Sequence, residues 1–282
     1  KSYYSFILNK KGGIIDDLII SKILFNNKEY FFIVYNAGRK SVDEKIFINN
    51  LSDYIFLNDN CLIAIQGPKS KEVLKFLDIS NQLFFMESKT FNYLDSLIIV
   101  NRSGYTGEDG FEISIPNKIS LTFLNTLMLH PSSKLCGLGC RDSLRLEAGL
   151  SLYGNELNEN LSPIESGLKW AIHKERLSDE NLNGNKILFS QLTHGINTNK
   201  IGIKTLSKLM LRANMKLLDS NNNYIGYISS GGFSPTLNTS IGIGYINSSF
   251  DQKNKIYTLI RGKNEELKIA ELPFVVHKYK RS

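Results

Sequence analysis

Along the first hundred residues apolar and polar positions alternate in short runs, the period of strands that bury one face. Strands are predicted at residues 3–9, 14–23 and 30–37. The first two are joined through Lys10-Lys11-Gly12-Gly13, whose glycines supply the positive φ a tight hairpin needs, and a turn at Asn26-Asn27 leads into the third. Residues 61–65 read as a buried strand ending at Gln66-Gly67-Pro68, and 82–85, 94–100 and 111–115 as further strands. Elsewhere the period lengthens to that of a helix. Ser41 and Glu44 fit a capping box ahead of Val42, Ile46, Phe47 and Leu51. Residues 70–77, 120–129 and 186–192 are the other short helical runs.

Residues 137–154, GLGCRDSLRLEAGLSLYG, organise the chain. A glycine-punctuated turn leads into a helix with Leu144/Ala148 and Leu146/Leu150 at i,i+4 spacing. Arg141 and Arg145 share that spacing, one above the other near the amino end. The positive pole of a helix disfavours a cation there by about 0.3–1 kcal/mol, so an anion is expected nearby, from Asp142, another segment or a ligand. Residues 155–163 then read as a polar loop and 167–173 as a strand. From about Thr198 the pattern becomes short strands with turns at 219–223, 231–232 and 248–254, which suits a small all-β barrel or sandwich. The change of texture near Gly195 gives two expected domains, 1–195 and 196–282.

Composition agrees with two domains and narrows the class. A chain of 282 residues buries a sizeable core, and 42% apolar with 22% charged residues is ordinary for a soluble globular protein. No apolar run approaches the ~18–20 residues of a membrane span. The chain opens directly on a strand, with no Met and no leader pattern, and is read as a fragment whose start has been lost. Cys61, Cys136 and Cys140 make no disulfide framework and point to a reducing compartment. Cys136 and Cys140, four apart, would face the same way on a helix. With His130, His173, His194 and His277 scattered, no metal site is expected. The net charge of +7 favours anionic partners without choosing among nucleic acid, a polyanionic small molecule and an acidic protein.

Three stretches carry candidate chemistry. Asp16 and Asp17 sit inside an apolar strand, so alternation sends one to each face and draws at least one toward the interior or a cleft, where it needs a partner or ligand. The plainer alternative leaves Asp16 solvated and Asp17 paired with a lysine. Residues 103–112, SGYTGEDGFE, combine spaced glycines with an aromatic and three acids. Glycines let a backbone approach a flat ligand, and Glu112 could accept a pair of N–H donors from a guanidine-like edge, although an acidic hairpin with a solvated tip also fits. The spacing is not that of a phosphate cradle. Residues 231–237, GGFSPTL, show only a sharp bend.

Taken in order, residues 12–19, 104–112, 137–154 and 230–237 resemble signatures of the aminomethyltransferase, or T-protein, family of the glycine cleavage system; Cys140 stands where that family usually has alanine. The resemblance implies an α+β fold, a folate-binding multi-layer α/β core of mixed and antiparallel sheets followed by a small C-terminal β-barrel. It also implies a further front segment holding part of the folate pocket, so that activity is expected of the parent protein ahead of this stretch alone. The implied reaction moves the one-carbon unit from an S-aminomethyl-dihydrolipoyl arm on H-protein to N5 of tetrahydrofolate, releasing ammonia and giving 5,10-methylenetetrahydrofolate. Folate's own nitrogen is the nucleophile, so the protein chiefly positions reactants and stabilises charge.

By that resemblance Asp17 is the catalytic carboxylate. Glu112 binds the pterin edge, Arg141 and Tyr279 contact folate, and Tyr4, Asn36 and Tyr105 line the pocket. For Arg141 the plainer alternative is a pair with Asp142 or Glu147; for Tyr279 it is a place on a frayed tail. The partners implied are lipoylated H-protein and tetrahydrofolate, with no metal, nucleic acid or membrane, in a monomer outside the complex. The compartment expected is bacterial cytoplasm, with the mitochondrial matrix as the alternative. A tetrahydrofolate-dependent demethylase of the same fold is one rival. A non-catalytic folate-binding protein of iron–sulfur maintenance is another, and the family cysteine signature of that branch is absent around Leu152-Tyr153-Gly154-Asn155-Glu156.

Overall fold

The computed structural model describes residues 1–25, 27–79, 82–207 and 209–281, so the turn expected at Asn26 lies outside the described residues. The chain divides into two compact units, Lys1–Tyr4 with Leu18–Arg141 and His277–Ser282, and Ser5–Asp17 with Asp142–Val276.

In the first unit, the four-stranded antiparallel sheet has the order β4-β7-β6-β5, built from β4 (Asn60–Gln66), β5 (Ser88–Tyr93), β6 (Ser96–Asn101) and β7 (Gly110–Pro116). Alternation in β7 decides which face is buried: Phe111, Ile113 and Ile115 join Ile98 and Val100 in the core, leaving Glu112 on the opposite side. The core is closed by Val73 and Leu74 of α2 (Ser70–Phe76) and by Phe123 and Leu127 of α3 (Asn117–Leu129). Each such side chain contributes about 1.5–3 kcal/mol by leaving water.

A three-stranded sheet in the order β1-β2-β3 is formed by β1 (Ser2–Leu8), β2 (Ile14–Phe25) and β3 (Lys28–Val34). Within the first unit it is tied to the larger sheet at Ser2. The Ser2 hydroxyl donates to Asn101 at 3.2 Å and lies 2.9 Å from the Ser88 hydroxyl, while Ser21 donates to it at 2.8 Å.

Several local expectations give way to tertiary context. Residues 82–85 are loop, because their polar partners lie elsewhere: the Leu83 carbonyl accepts from Arg102 and the Phe85 N–H donates to Lys280. The strand is instead β5, which the pattern missed. Residues 61–65 do form β4, but at the sheet edge, so Leu62 and Ala64 are exposed and only Ile65 is fully buried. Ser41 caps nothing, since α1 (Lys40–Asn50) has already begun and Arg39 holds the cap position without a side-chain bond. The buried residue of α1 is Asp43, not the apolar set. Residues 167–173 are not a strand. Gly167 takes φ +68° and the Leu168 N–H closes onto the Pro163 carbonyl at 2.7 Å, which turns the chain into a single 3-10 turn at Lys169–Ala171.

In the second unit a closed antiparallel barrel settles the choice between barrel and sandwich. It runs β10-β11-β8-β13-β12-β9, from β8 (Thr198–Thr205), β9 (Lys216–Leu218), β10 (Tyr224–Ser234), β11 (Thr239–Asn247), β12 (Ile256–Ile260) and β13 (Lys263–Ala270). Ile201, Ile203, Leu217, Ile228, Ile246 and Leu267 fill its interior. Strand β11 is buried on both faces, because Ile241 and Ile243 pack outward against Leu146. Helices α5 (Lys174–Leu177) and α6 (Asn185–His194) precede the barrel. Among the described residues no helix is long and apolar enough to cross a membrane.

Candidate functional site

Helix α4 (Leu138–Glu147) carries both arginines of the central motif, and they have opposite surroundings. Arg141, in the first turns, is exposed, with its guanidinium carbon 4.7 Å from the centre of the Tyr105 ring. That is cation–π geometry. Arg145 lies in the last turn, where the dipole favours a cation, and not near the amino end as expected. Its side chain is 2% exposed. Nε donates to Asp142 at 2.8 Å, Nη1 to Glu156 at 2.9 Å and Nη2 to Ser230 at 2.9 Å. The anions expected beside these arginines are therefore Asp142 and Glu156, and both serve Arg145. Glu147 is also committed elsewhere. It accepts from the Ser234 hydroxyl at 2.6 Å, the Thr236 N–H at 3.0 Å and the Thr236 hydroxyl at 2.7 Å, which pins the turn at 235–238; the turn expected at Gly231-Gly232 is instead paired strand, since β10 runs on to Ser234 against β11.

Glu156 is fully buried and is the hub of the second unit. Besides Arg145 it accepts from the Leu152 N–H at 3.0 Å and from the Ser229 hydroxyl, and its carbonyl accepts from Tyr245 at 2.6 Å. Nearby, Lys200 donates to the Ser151 hydroxyl at 2.9 Å. Burial pushes the Lys200 amine down to about 8, against the opposing pull of Glu156. These bonds fix the 153–161 loop, and the loop grips the start of β2. The Ile14 N–H is 3.1 Å from the carbonyls of both Asn158 and Leu161, and Tyr153 donates to the Ile14 carbonyl at 3.3 Å. Only glycine fits beside them, since a Cβ on Gly13 would lie 1.9 Å from the Glu159 carbonyl oxygen. Three residues further along β2 alternation separates the two acids: Asp16 is buried and Asp17 half-buried.

The loop between β6 and β7 gathers most of the other expected residues within the first unit. Glu112, on β7 opposite Ala64 and Asn101, accepts from the Ser103 hydroxyl at 2.6 Å. Arg102 grips Asp109 with Nε at 2.9 Å and Nη2 at 2.5 Å, and lies 5.1 Å from the Phe111 ring centre. The Gln66 amide fills the space over Gly104 and Gly110, donating to the Ser103 carbonyl at 3.0 Å and accepting from Thr106 at 3.0 Å. The C-terminal segment docks on the same loop. Lys278 donates its N–H to the Gly107 carbonyl at 2.8 Å and its amine lies 2.7 Å from Glu108. Tyr279 is not frayed, for it stacks on Phe85 with centroids 4.0 Å apart and planes 6° apart, and burial raises its pKa.

Tyr105, Glu112, Arg141 and Tyr279 thus share one support, the β6–β7 loop. Tyr4 lies on β1, and Asn36 follows β3 with its carbonyl accepting from the Arg39 N–H at 2.8 Å. Asp17 belongs to the second unit. A cleft of about 340 Å³ lined by Lys1, Lys22, Glu29, Ser88 and Lys89 holds none of the expected residues. Sequence reasoning missed Gln66, Arg102 and Glu156. The only signal was for Gln66, placed next to the Gly67-Pro68 turn; the other two owe their partners to the fold.

The chain matches two domain models in succession, the GCVT N-terminal domain over residues 1–176 and the glycine cleavage T-protein C-terminal barrel domain over 200–275. It is 38% identical to the mitochondrial aminomethyltransferase of Pisum sativum, the match covering 96% of this chain and 69% of that protein. Identity to the aminomethyltransferase of Francisella philomiragia is also 38%, over 98% of this chain and 76% of the relative. Among solved structures, the glycine cleavage system aminomethyltransferase T from Bartonella henselae superposes with a TM-score of 0.92 at 33% identity, covering 99% of this chain and 77% of that one. The chain belongs to the glycine cleavage T-protein, or aminomethyltransferase, family, as its four motifs implied, and the α+β fold with its terminal barrel is the family fold.

Proposed function

We propose that this protein transfers the aminomethyl carbon of an S-aminomethyl-dihydrolipoyl arm, carried by H-protein, to tetrahydrofolate, releasing ammonia and giving 5,10-methylenetetrahydrofolate. Residues 1–195 form the folate-binding region and 196–282 the barrel domain. The observation that carries the reading is the β6–β7 loop, which bears Tyr105 and leads into Glu112, with Arg141 stacked on Tyr105 and the Tyr279 segment bonded to the same loop.

In this reading Glu112 accepts the N–H pair of the pterin edge, its carboxylate oriented by the Ser103 hydroxyl. Arg141 and Tyr279 hold the folate, and Tyr4, Asn36 and Tyr105 line its pocket. Asp17 orients the acceptor and stabilises the positive charge that develops as the carbon moves, which calls for a fixed carboxylate. The 153–161 loop holds the backbone three residues ahead of it. The working compartment proposed is bacterial cytoplasm, and the protein acts as a monomer outside its complex.

The test is Asp17→Asn in a catalytically active preparation. Loss of one preorganised charge is expected to lower kcat by about two to three orders of magnitude while leaving the circular dichroism spectrum and tetrahydrofolate affinity close to those of the parent. Near-normal turnover would remove Asp17 from the mechanism.

A further inference from the structure

Arg102 directly follows β6, and its side chain is only 4% exposed. A guanidinium buried so deeply needs acceptors at its nitrogens. Asp109 supplies two, 2.9 Å from Nε and 2.5 Å from Nη2, and the Leu83 carbonyl supplies the third, 2.5 Å from Nη1. Asp109 stands in the β6–β7 loop between Tyr105 and Glu112, whereas Leu83 begins a separate turn. In that turn the Glu87 N–H bonds the Phe84 carbonyl at 3.0 Å and the Phe84 N–H bonds the Glu87 carboxylate at 3.0 Å. The turn supports the C-terminal aromatic: the Phe85 N–H bonds the Lys280 carbonyl at 2.7 Å, and the Phe85 ring stacks on Tyr279. The Arg102 backbone adds to the hold, its N–H bonding the Glu87 carbonyl at 2.9 Å and its carbonyl accepting from the Met86 N–H at 2.8 Å.

We propose that Arg102 is a positioning residue for folate binding, a clamp that ties the loop bearing Tyr105 and Glu112 to the turn on which Tyr279 stacks. The inference rests on the folate reading of this loop. Arginine suits the task because its planar fork grips a carboxylate with two nitrogens and aims the third elsewhere in a fixed direction. A lysine, as a single flexible point charge, satisfies Asp109 or the Leu83 carbonyl without fixing one against the other. The Phe111 ring, 5.1 Å from the guanidinium carbon, covers the clamp from the core. Arg102 acts through the elements it joins and does not itself contact the ligand.

The experiment compares Arg102→Lys, which keeps the charge beside Asp109 and gives up the fork, with Phe85→Leu, which removes the stack at a half-buried position without touching the Arg102 bonds. Each is expected to weaken tetrahydrofolate binding, titrated by calorimetry on the whole chain, by about tenfold. The double variant should lose far less than the about hundredfold that independent effects would give, because both changes act through Tyr279. In ligand-free protein, Arg102→Lys should shift the Tyr279 ring resonances toward those of an unstacked tyrosine and speed amide exchange at Phe85, changes that a general loss of stability in a still-folded chain would not bring to the ring. A parent that binds no tetrahydrofolate would overturn the folate reading and this role with it. In a parent that binds, Tyr279 resonances unmoved by Arg102→Lys, affinity untouched by Phe85→Leu, or a fully multiplicative loss in the double variant would overturn the role of Arg102 alone.

Discussion

Arg141 and Arg145 stand one turn apart on α4, and what separates them is burial. Arg145 is sealed among Asp142, Glu156 and Ser230, each of its guanidinium nitrogens bonded. Arg141 presents a flat cation to solvent over an aromatic ring. A buried ion pair held at every guanidinium nitrogen is committed to holding the fold, because leaving either charge without the other is costly. An exposed guanidinium backed by a ring keeps its bonding capacity for a ligand. The sequence motif presents them as a matched pair, and the fold gives one to architecture and the other to the proposed site.

The sharpest way to break this comparison is to remove the buried acid. Glu156→Ala leaves Arg145 charged and without its fully buried partner and the Leu152 N–H without its acceptor, while the Ser229 hydroxyl keeps the Ile243 carbonyl at 3.0 Å. A loss of about 3–5 kcal/mol is expected, a large part of the stability of an ordinary domain. Urea unfolding of parent and variant measures it, and a change below about 1 kcal/mol would mean that the network is not what holds this region. Because the 153–161 loop also grips Ile14, the same variant should loosen the amino end of β2, seen as faster amide exchange at Ile14.

How legible all this was depended on distance along the chain. Strand alternation around Asp16 and Asp17, the hairpin glycines and the onset of α4 are local, and each could be read from neighbours a few residues away. Helix α4 nevertheless stops at Glu147, short of the Ala148 and Leu150 expected on its face, with Gly149 at φ +67° turning the chain. Glu156 lies eleven residues from Arg145, and Ser230 lies eighty-five away. No periodicity links positions so far apart; only the barrel brings Ser230 to the helix. The same holds for residues 82–85, whose alternation looks like a strand until Arg102 and Lys280 claim their backbone groups. Closure of the barrel was likewise invisible, for short strands and turns read alike in a barrel and a sandwich. Site roles came from resemblance, since nothing in the spacing of Glu112 or Tyr279 names a pterin.

Lys200 tests the same buried network through pH. Its folded value of about 8 lies below the ordinary 10.5 of the amine. Below pH 8 both folded and unfolded chains hold the proton, and burying the charge costs stability. Between pH 8 and 10.5 the folded chain has released a proton the unfolded chain still binds, so stability rises with pH across that window. The full gain is about 3 kcal/mol at about 1.4 kcal/mol per pH unit. Lys200→Met removes this term, so the stability of the parent relative to the variant should climb from pH 8 to 10, as followed by denaturant unfolding at each pH. A flat difference would place the Lys200 amine in water.

The smallest structural effect is expected at Arg141, and it is the other half of the comparison. Arg141→Ala gives up an exposed cation–π contact with Tyr105, so stability should fall by no more than about 0.5–1 kcal/mol. If the guanidinium contacts folate, tetrahydrofolate affinity should weaken by about tenfold, or about 1.4 kcal/mol, as titrated by calorimetry. Arg141→Lys separates charge from shape, because an ammonium keeps the charge and loses the flat fork and the stacking. Affinity restored by lysine would make the contact a matter of charge alone; affinity still low would assign it to the planar guanidinium held by Tyr105. An Arg141→Ala variant that unfolds as readily as Glu156→Ala, with unchanged folate affinity, would erase the distinction and make both arginines architecture.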